Sequence, residues 1–162
     1  MPPAEDEVVI PALLRAARGS YGHAIRARLA DAGFEDVPHN GAYVLGGMVD
    51  HGGSAGQLVR ELGISKQAAS QLVDALVQRG YLTREDHPED RRRVHIAVTE
   101  RGRAAAAEVR AGVLGVDAEL ARMISPGELA GLRAGLTALT AIRQRLAEQS
   151  RGQAGRGRPA GG

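Results

Sequence analysis

Hydrophobic positions recur along most of this chain at helical spacing. From Pro11, whose fixed φ suits the first turn of a helix, Leu14, Ala17, Tyr21, Ile25 and Leu29 follow at intervals of three and four until Gly33. The pattern predicts a first helix there. A second is predicted from near Pro38, carrying Tyr43, Val44, Leu45 and Met48. Gly41, Gly46 and Gly47 each weaken it by about 1 kcal/mol relative to alanine. Two short helical segments follow, 54–62 and 66–79, separated by Gly63-Ile64-Ser65. Ser65 is a preferred N-cap and Gly80 a preferred left-handed stop. Two short helices joined by a brief glycine-containing turn form a helix-turn-helix pattern.

The period then changes. Residues 81–85 and 94–98 read as strands, the second alternating Val94, Ile96 and Val98 with His95 and Ala97. Between them the polar run Asp86-His87-Pro88-Glu89-Asp90-Arg91-Arg92-Arg93 predicts a charged hairpin loop. Thr99 caps an alanine-rich helix to about Met123. Ser125-Pro126-Gly127-Glu128 then opens another, with serine as N-cap, proline at the first position and glutamate at the third, a capping box. On that last helix, roughly 24 residues or about 36 Å long, Leu129, Leu132, Leu136, Leu139, Ile142 and Leu146 form an apolar seam. Residues 150–162 are Gly, Arg, Ala and Pro-rich and are expected to be a disordered Gly/Arg tail, because too few apolar groups are present to order them.

Composition narrows the function. At 162 residues the chain can bury a core without a disulfide or metal staple. Aromatic residues make up only 2%, so that core is built from Ala, Leu, Val and Ile. No apolar run approaches the roughly 20 residues that span a bilayer, so no membrane association is expected. Glu5, Asp6 and Glu7 stand where a secretory signal would be basic, which predicts a cytoplasmic protein. With no cysteine, thiol redox sensing, cysteine nucleophiles and Cys-ligated zinc are excluded. The five histidines show no His-x-x-x-His spacing, and neither a Gly-x-Ser-x-Gly elbow nor a phosphate-cradling loop is present. No catalytic residue, metal site or cofactor is expected. The net charge of +2 says little: without Arg151, Arg156 and Arg158 the 21 basic residues become 18, against 19 acidic. Placement of charge therefore matters more than its sum.

The order of elements predicts a mainly α winged helix-turn-helix with a small two-stranded β wing. It would comprise an N-terminal extension (1–9), a winged helix-turn-helix DNA-binding domain (37–99) and a helical dimerisation region made of 10–36 and 100–149. A lone winged helix needs no such arms, and their apolar seams have to be buried. A twofold homodimer accomplishes that. Its recognition helices, about 34 Å apart, would address successive major-groove faces of double-stranded DNA.

In the second helix of the helix-turn-helix, Ala69, Leu72, Val73, Leu76 and Val77 share the core-facing side. Lys66, Gln67, Ser70, Gln71 and Asp74 share the other. Glutamine bonds adenine bidentately, serine serves bases or phosphate, and lysine takes guanine or phosphate. Ser65, Lys66 and Gln67 also stand at the helix start, where the dipole favours an anion. A solvated helix face is the alternative, and the helix-turn-helix context favours the groove. Arg91, Arg92 and Arg93 repel one another unless an anion is near. A narrow A·T-rich minor groove supplies one; a merely solvated hairpin is the other reading.

These residues also carry a family resemblance. The stretch Asp90-Arg91-Arg92-Arg93-Val94-His95-Ile96-Ala97-Val98-Thr99-Glu100-Arg101-Gly102 resembles the wing signature of MarR-family transcriptional regulators, an Asp-x-Arg tip followed by a strand and Thr-x-x-Gly. Leu58-Val59-Arg60-Glu61-Leu62-Gly63-Ile64-Ser65 and Ser70-Gln71-Leu72-Val73-Asp74-Ala75-Leu76 are similar to its helix-turn-helix, and the likeness extends over 10–148. The resemblance implies a homodimer on a pseudo-palindromic operator, usually a repressor and often released by small aromatic acids. It implies Arg92 as the side chain inserted in the minor groove, with Asp90 bracing the wing. Cysteine-based peroxide sensing is excluded, and the second helix is unusually rich in glycine.

For an effector, regulators of this shape suggest Tyr21, Tyr43 and Met48 as pocket liners, with Arg15 or Arg18 meeting a carboxylate of a small aromatic or phenolic ligand. Each of these also reads as ordinary packing. Arg156-Gly157-Arg158-Pro159 is similar to the core of an AT-hook, and equally to a flexible tail attracted to phosphate. Two functions follow from the sequence: a DNA-binding repressor, or a small-molecule-binding dimer whose DNA-binding face is vestigial.

Overall fold

The computed structural model describes residues 9–51, 54–87 and 90–156. Eight elements follow in order: α1 (Ile10–Asp31), α2 (Gly41–His51), α3 (Ala55–Glu61), α4 (Lys66–Gln78), β1 (Leu82–His87), β2 (Asp90–Val98), α5 (Glu100–Met123) and α6 (Pro126–Arg156). The architecture is a mainly helical winged helix-turn-helix with a two-stranded antiparallel sheet. The chain forms two compact units, 1–117 and 118–162, the second containing the end of α5 and all of α6.

Local chemistry sets the element ends. Pro11 stands in the first turn of α1, and Gly33 reverses the chain after it at φ 77°, where the Phe34 amide donates to the Leu29 carbonyl at 2.7 Å. Ser54 Oγ caps α3 by accepting the Gln57 amide, and Ser65 Oγ caps α4 by accepting the Ala68 amide, each at 3.2 Å. Such caps satisfy amide donors that a helix leaves open at its start. The α4 exit matches: Gly80 takes φ 74° and the Tyr81 amide returns to the Leu76 carbonyl at 2.9 Å. In the second unit the Ser125–Glu128 capping box closes in both directions, with the Ser125 amide donating to Glu128 Oε2 at 2.8 Å and the Glu128 amide to Ser125 Oγ at 3.3 Å.

The core of the first unit lies where α2, α3, α4 and α5 meet the base of the sheet. Val44, Leu45, Leu76, Tyr81 and Leu82 are its largest fully enclosed side chains, joined by Leu29, Ala55, Val59, Leu72, Ala105, Ala106 and Val109. Small residues on α5 let other elements come close, as the alanine-rich sequence there anticipates.

Three boundaries differ from the sequence reading. The strands extend to His87 and from Asp90, so Arg91, Arg92 and Arg93 belong to β2 instead of a loop. Pairing runs from Leu82 with Val98 to Asp86 with Val94, then slips, placing His87 opposite Asp90. Arg91, Arg92 and Arg93 fall within that slip, between the paired Asp90 and Val94, as extra residues of a bulged strand. α2 starts at Gly41 instead of near Pro38, since Asn40 takes φ 64° before it. Finally, α6 continues past Gln149 to Arg156, where a disordered tail was expected; propagating a helix already formed is easier than initiating one, despite Gly152 and Gly155. Gly157, Arg158 and Pro159 of the hook-like tetrapeptide lie outside the described residues, as do residues 1–8 of the N-terminal extension.

Candidate nucleic-acid interface

The amphipathic pattern of α4 separates its residues cleanly. Leu72 and Leu76 are buried, and Ala69, Val73 and Val77 pack half-buried against the same core. Lys66, Gln67, Ser70 and Gln71 are all exposed, and Ser65 is exposed at the cap. Four side chains able to bond base edges or phosphate therefore stand on one open helix face. The burial on the opposite side holds that face in place.

Asp74, also exposed on α4, forms an ion pair with Arg84 of β1. The pair ties α4 to the first strand of the wing. Sequence reading placed Asp74 on the outer face and assigned Arg84 nothing; the partners come from different elements, so no local spacing reveals them. An open depression of about 480 Å³ adjoins the pair, lined by Gly56, Val59, Ile64, Lys66, Ala69, Ser70, Val73, Asp74 and Arg84.

In the wing, the backbone positions of Asp90, Arg91, Arg92 and Arg93 are those of β2 residues; their side chains lie outside what the structure describes.

The residues expected to line an effector pocket are distributed over separate contacts. Tyr21 of α1 donates to Asp117 Oδ1 of α5 at 2.5 Å, and Tyr43 of α2 donates to Glu61 Oε2 of α3 at 2.8 Å. Met48 packs half-buried against the core, and Arg15 and Arg18 are exposed on α1. The depression beside α4 involves none of the five.

A second constellation went unforeseen. Tyr81, at the exit of α4, donates its hydroxyl to Asp36, which precedes α2, and Arg101 from the first turn of α5 bonds Asp36 Oδ1 at 2.9 Å and the Tyr81 oxygen at 3.1 Å. The Tyr81 hydroxyl, with help from Arg101, holds the Asp36 carboxyl below its ordinary value. Burial, reinforced by the Asp36 carboxylate, pushes the Tyr81 phenol up to about 12. One sequence signal was available, since Arg101 lies inside the Thr-x-x-Gly stretch; its partners lie too far along the chain to be read.

A profile of the MarR family matches residues 36–93, the segment that carries α2 to the wing. Over these residues the chain resembles MarR-family regulators. Solved structures agree in fold. RV1404 from Mycobacterium tuberculosis is 28% identical with TM-score 0.60, the match covering 86% of this chain and 97% of that one. MepR from S. aureus, solved as a DNA complex, is 19% identical with TM-score 0.68, covering 84% of this chain and 99% of MepR. BpsR from Bordetella bronchiseptica, whose DNA binding is regulated by 6-hydroxynicotinic acid, is 21% identical with TM-score 0.63, covering 85% of this chain and 97% of BpsR. Comparison with curated protein sequences gives no match. The matched family model and the fold are those of MarR-type transcription regulators. Among the described residues no helix is long and apolar enough to cross a membrane.

Proposed function

We propose that this protein is a cytoplasmic, homodimeric MarR-type repressor that binds a pseudo-palindromic operator in double-stranded DNA and is released by a small aromatic or phenolic effector. The observation that carries the reading is the exposed row Lys66, Gln67, Ser70 and Gln71 on a helix anchored by buried Leu72 and Leu76. In this reading those side chains and Ser65 enter the major groove. Arg92 enters the adjacent minor groove, flanked by Arg91 and Arg93 and braced by Asp90. MepR, with its solved DNA complex, supports a DNA-reading role for this fold.

Homodimerisation is favoured by apolar surface. Leu132, Leu136, Leu139, Ile142 and Leu146 of α6 are exposed, as are Ile10, Leu13 and Leu14 of α1. Such surface is stabilised by association with a second copy. Regulation by an effector is supported by BpsR and its 6-hydroxynicotinic acid; Arg15, Arg18, Tyr21, Tyr43 and Met48 remain its proposed contacts.

Fluorescence anisotropy against a duplex from the protein's own upstream region, beside a shuffled duplex of equal composition, tests the function. Affinity of about 10 nM or tighter, salt-sensitive and selective for the natural duplex, is the expected result. Equal weak binding to both duplexes would instead identify a dimer whose DNA-binding face is vestigial.

A further inference from the structure

The C-terminal end of α4 is fastened at two places. The first is backbone: the Tyr81 carbonyl accepts the Thr99 amide at 3.1 Å, and the Thr99 hydroxyl reaches the Gly80 and Tyr81 carbonyls at 2.5 and 3.0 Å while accepting the Gly102 amide at 3.0 Å. This clamp fixes where the chain leaves α4. By itself it is a pivot.

The second fastening lies off that pivot, in side chains. Tyr81 is fully enclosed, and its ring meets Phe34 edge-on with centroids 6.2 Å apart. The guanidinium of Arg101 lies over both, 4.7 Å from the Tyr81 centroid and 5.5 Å from that of Phe34. Arg101 also bonds Asp36 and the Tyr81 hydroxyl, itself bonded to Asp36. One planar cation thus joins the exit of α4, the first turn of α5 and the connection between α1 and α2.

We propose that Arg101 is a positioning residue for DNA reading, acting through Tyr81 and Asp36 to fix the tilt of α4 and so the selectivity for operator over other DNA. The inference rests on the DNA-binding reading above. Leverage is the physical reason. The 13 residues of α4 span about 20 Å, and its groove residues lie toward the end remote from the fastening. A tilt of about 5° at the exit displaces the start of the helix by about 2 Å, more than the tolerance of a base-edge hydrogen bond. Phosphate contacts made by long basic side chains accommodate such a shift, whereas bidentate base contacts do not.

Anisotropy titrations with the full-length protein decide the matter, on the operator duplex located by footprinting its own upstream region and on a shuffled duplex, over a series of salt concentrations. Arg101→Met is expected to weaken operator binding about ten-fold and shuffled binding less than about two-fold, with the salt slope unchanged. Arg101→Lys restores little, because an ammonium cannot lie flat over the rings while bonding both oxygens. Tyr81→Phe should give a smaller loss of the same kind, and the double variant less than the summed effects. Should Arg101→Met not fold, Tyr81→Phe and Asp36→Asn provide the same ratio.

Equal losses on both duplexes, or a salt slope reduced by about one, would make Arg101 a phosphate contact and overturn the proposal. A lowered melting temperature with an unchanged operator-to-shuffled ratio would make it merely structural and overturn it as well. Failure of the wild type to prefer its operator is a different outcome, which removes the DNA-binding reading itself.

Discussion

A methyl group on Gly102 would stand 2.1 Å from the Tyr81 carbonyl oxygen and 2.7 Å from Val98 Cγ1. The oxygen belongs to backbone already held by the Thr99 amide, so it cannot swing aside. Gly102→Ala is therefore expected to destabilise the protein by about 3 kcal/mol, the upper part of the usual range for overpacking. A urea midpoint within error of wild type would contradict the contact. Tyr81 gives a second residue-level test. Its phenol is raised to about 12 from 10.0, so its contribution is complete below pH 10 and lost as pH rises through about 12. Asp36, held low, contributes above its ordinary 3.8 and is lost as pH falls. With three tyrosines and no tryptophan, tyrosinate absorbance is readily followed. A component near pH 12 that Tyr81→Phe removes is expected; a curve unchanged by the substitution refutes the assignment. At this scale the sequence disclosed the Thr-x-x-Gly spacing but not why its glycine is required. The carbonyl it must clear belongs to Tyr81, across the whole wing.

Among the elements, α4 and its caps were legible because Ser65, Gly80 and the spacing from Ala69 to Val77 are local signals. The wing was less so: Asp86 and the three arginines look like a loop until a partner strand is supplied. In α2, Gly46 and Gly47 suggested only weakness. The structure gives them different roles. A Cβ on Gly47 would meet Leu58 Cδ2 at 2.5 Å, whereas one on Gly46 would touch only Val109 Cγ1 at 3.4 Å. Gly47 therefore permits the close packing of α2 on α3. Gly46→Ala is expected to raise stability by about 0.5–1 kcal/mol through helix propensity, and Gly47→Ala to lower it by about 1–3 kcal/mol through displacement of Leu58. Thermal midpoints measured side by side check the opposite signs; equal shifts would show that α2 does not approach α3 as described.

For the whole molecule, the seam on α6 was legible from its three-four spacing, and the proposed homodimer would bury it. Each leucine hidden from water stabilises an association by about 1.5–3 kcal/mol. Leu136 and Leu139, both 39% exposed in the single chain, are suitable probes. Replacing both by glutamate is expected to convert a dimer to a monomer in sedimentation velocity and to abolish operator binding while the first unit stays folded. A variant that still sediments as a dimer would place the association elsewhere. The candidate site divides in the same way: the exposed row on α4 follows from local amphipathicity, whereas the Asp74–Arg84 tie and the Arg101 cluster require the fold.

Hydroxyl-radical footprinting of the protein's own upstream region tests whether it reads DNA as a twofold dimer. Protection is expected in two symmetric half-sites whose centres lie about one helical turn, roughly 10 base pairs, or a multiple of it apart. Arg92→Ala should weaken the minor-groove protection flanking each half-site and lower affinity by about 1–3 kcal/mol. Uniform protection without half-sites, or none at protein concentrations that saturate the duplex, would contradict the reading of this chain as a dimeric winged-helix regulator.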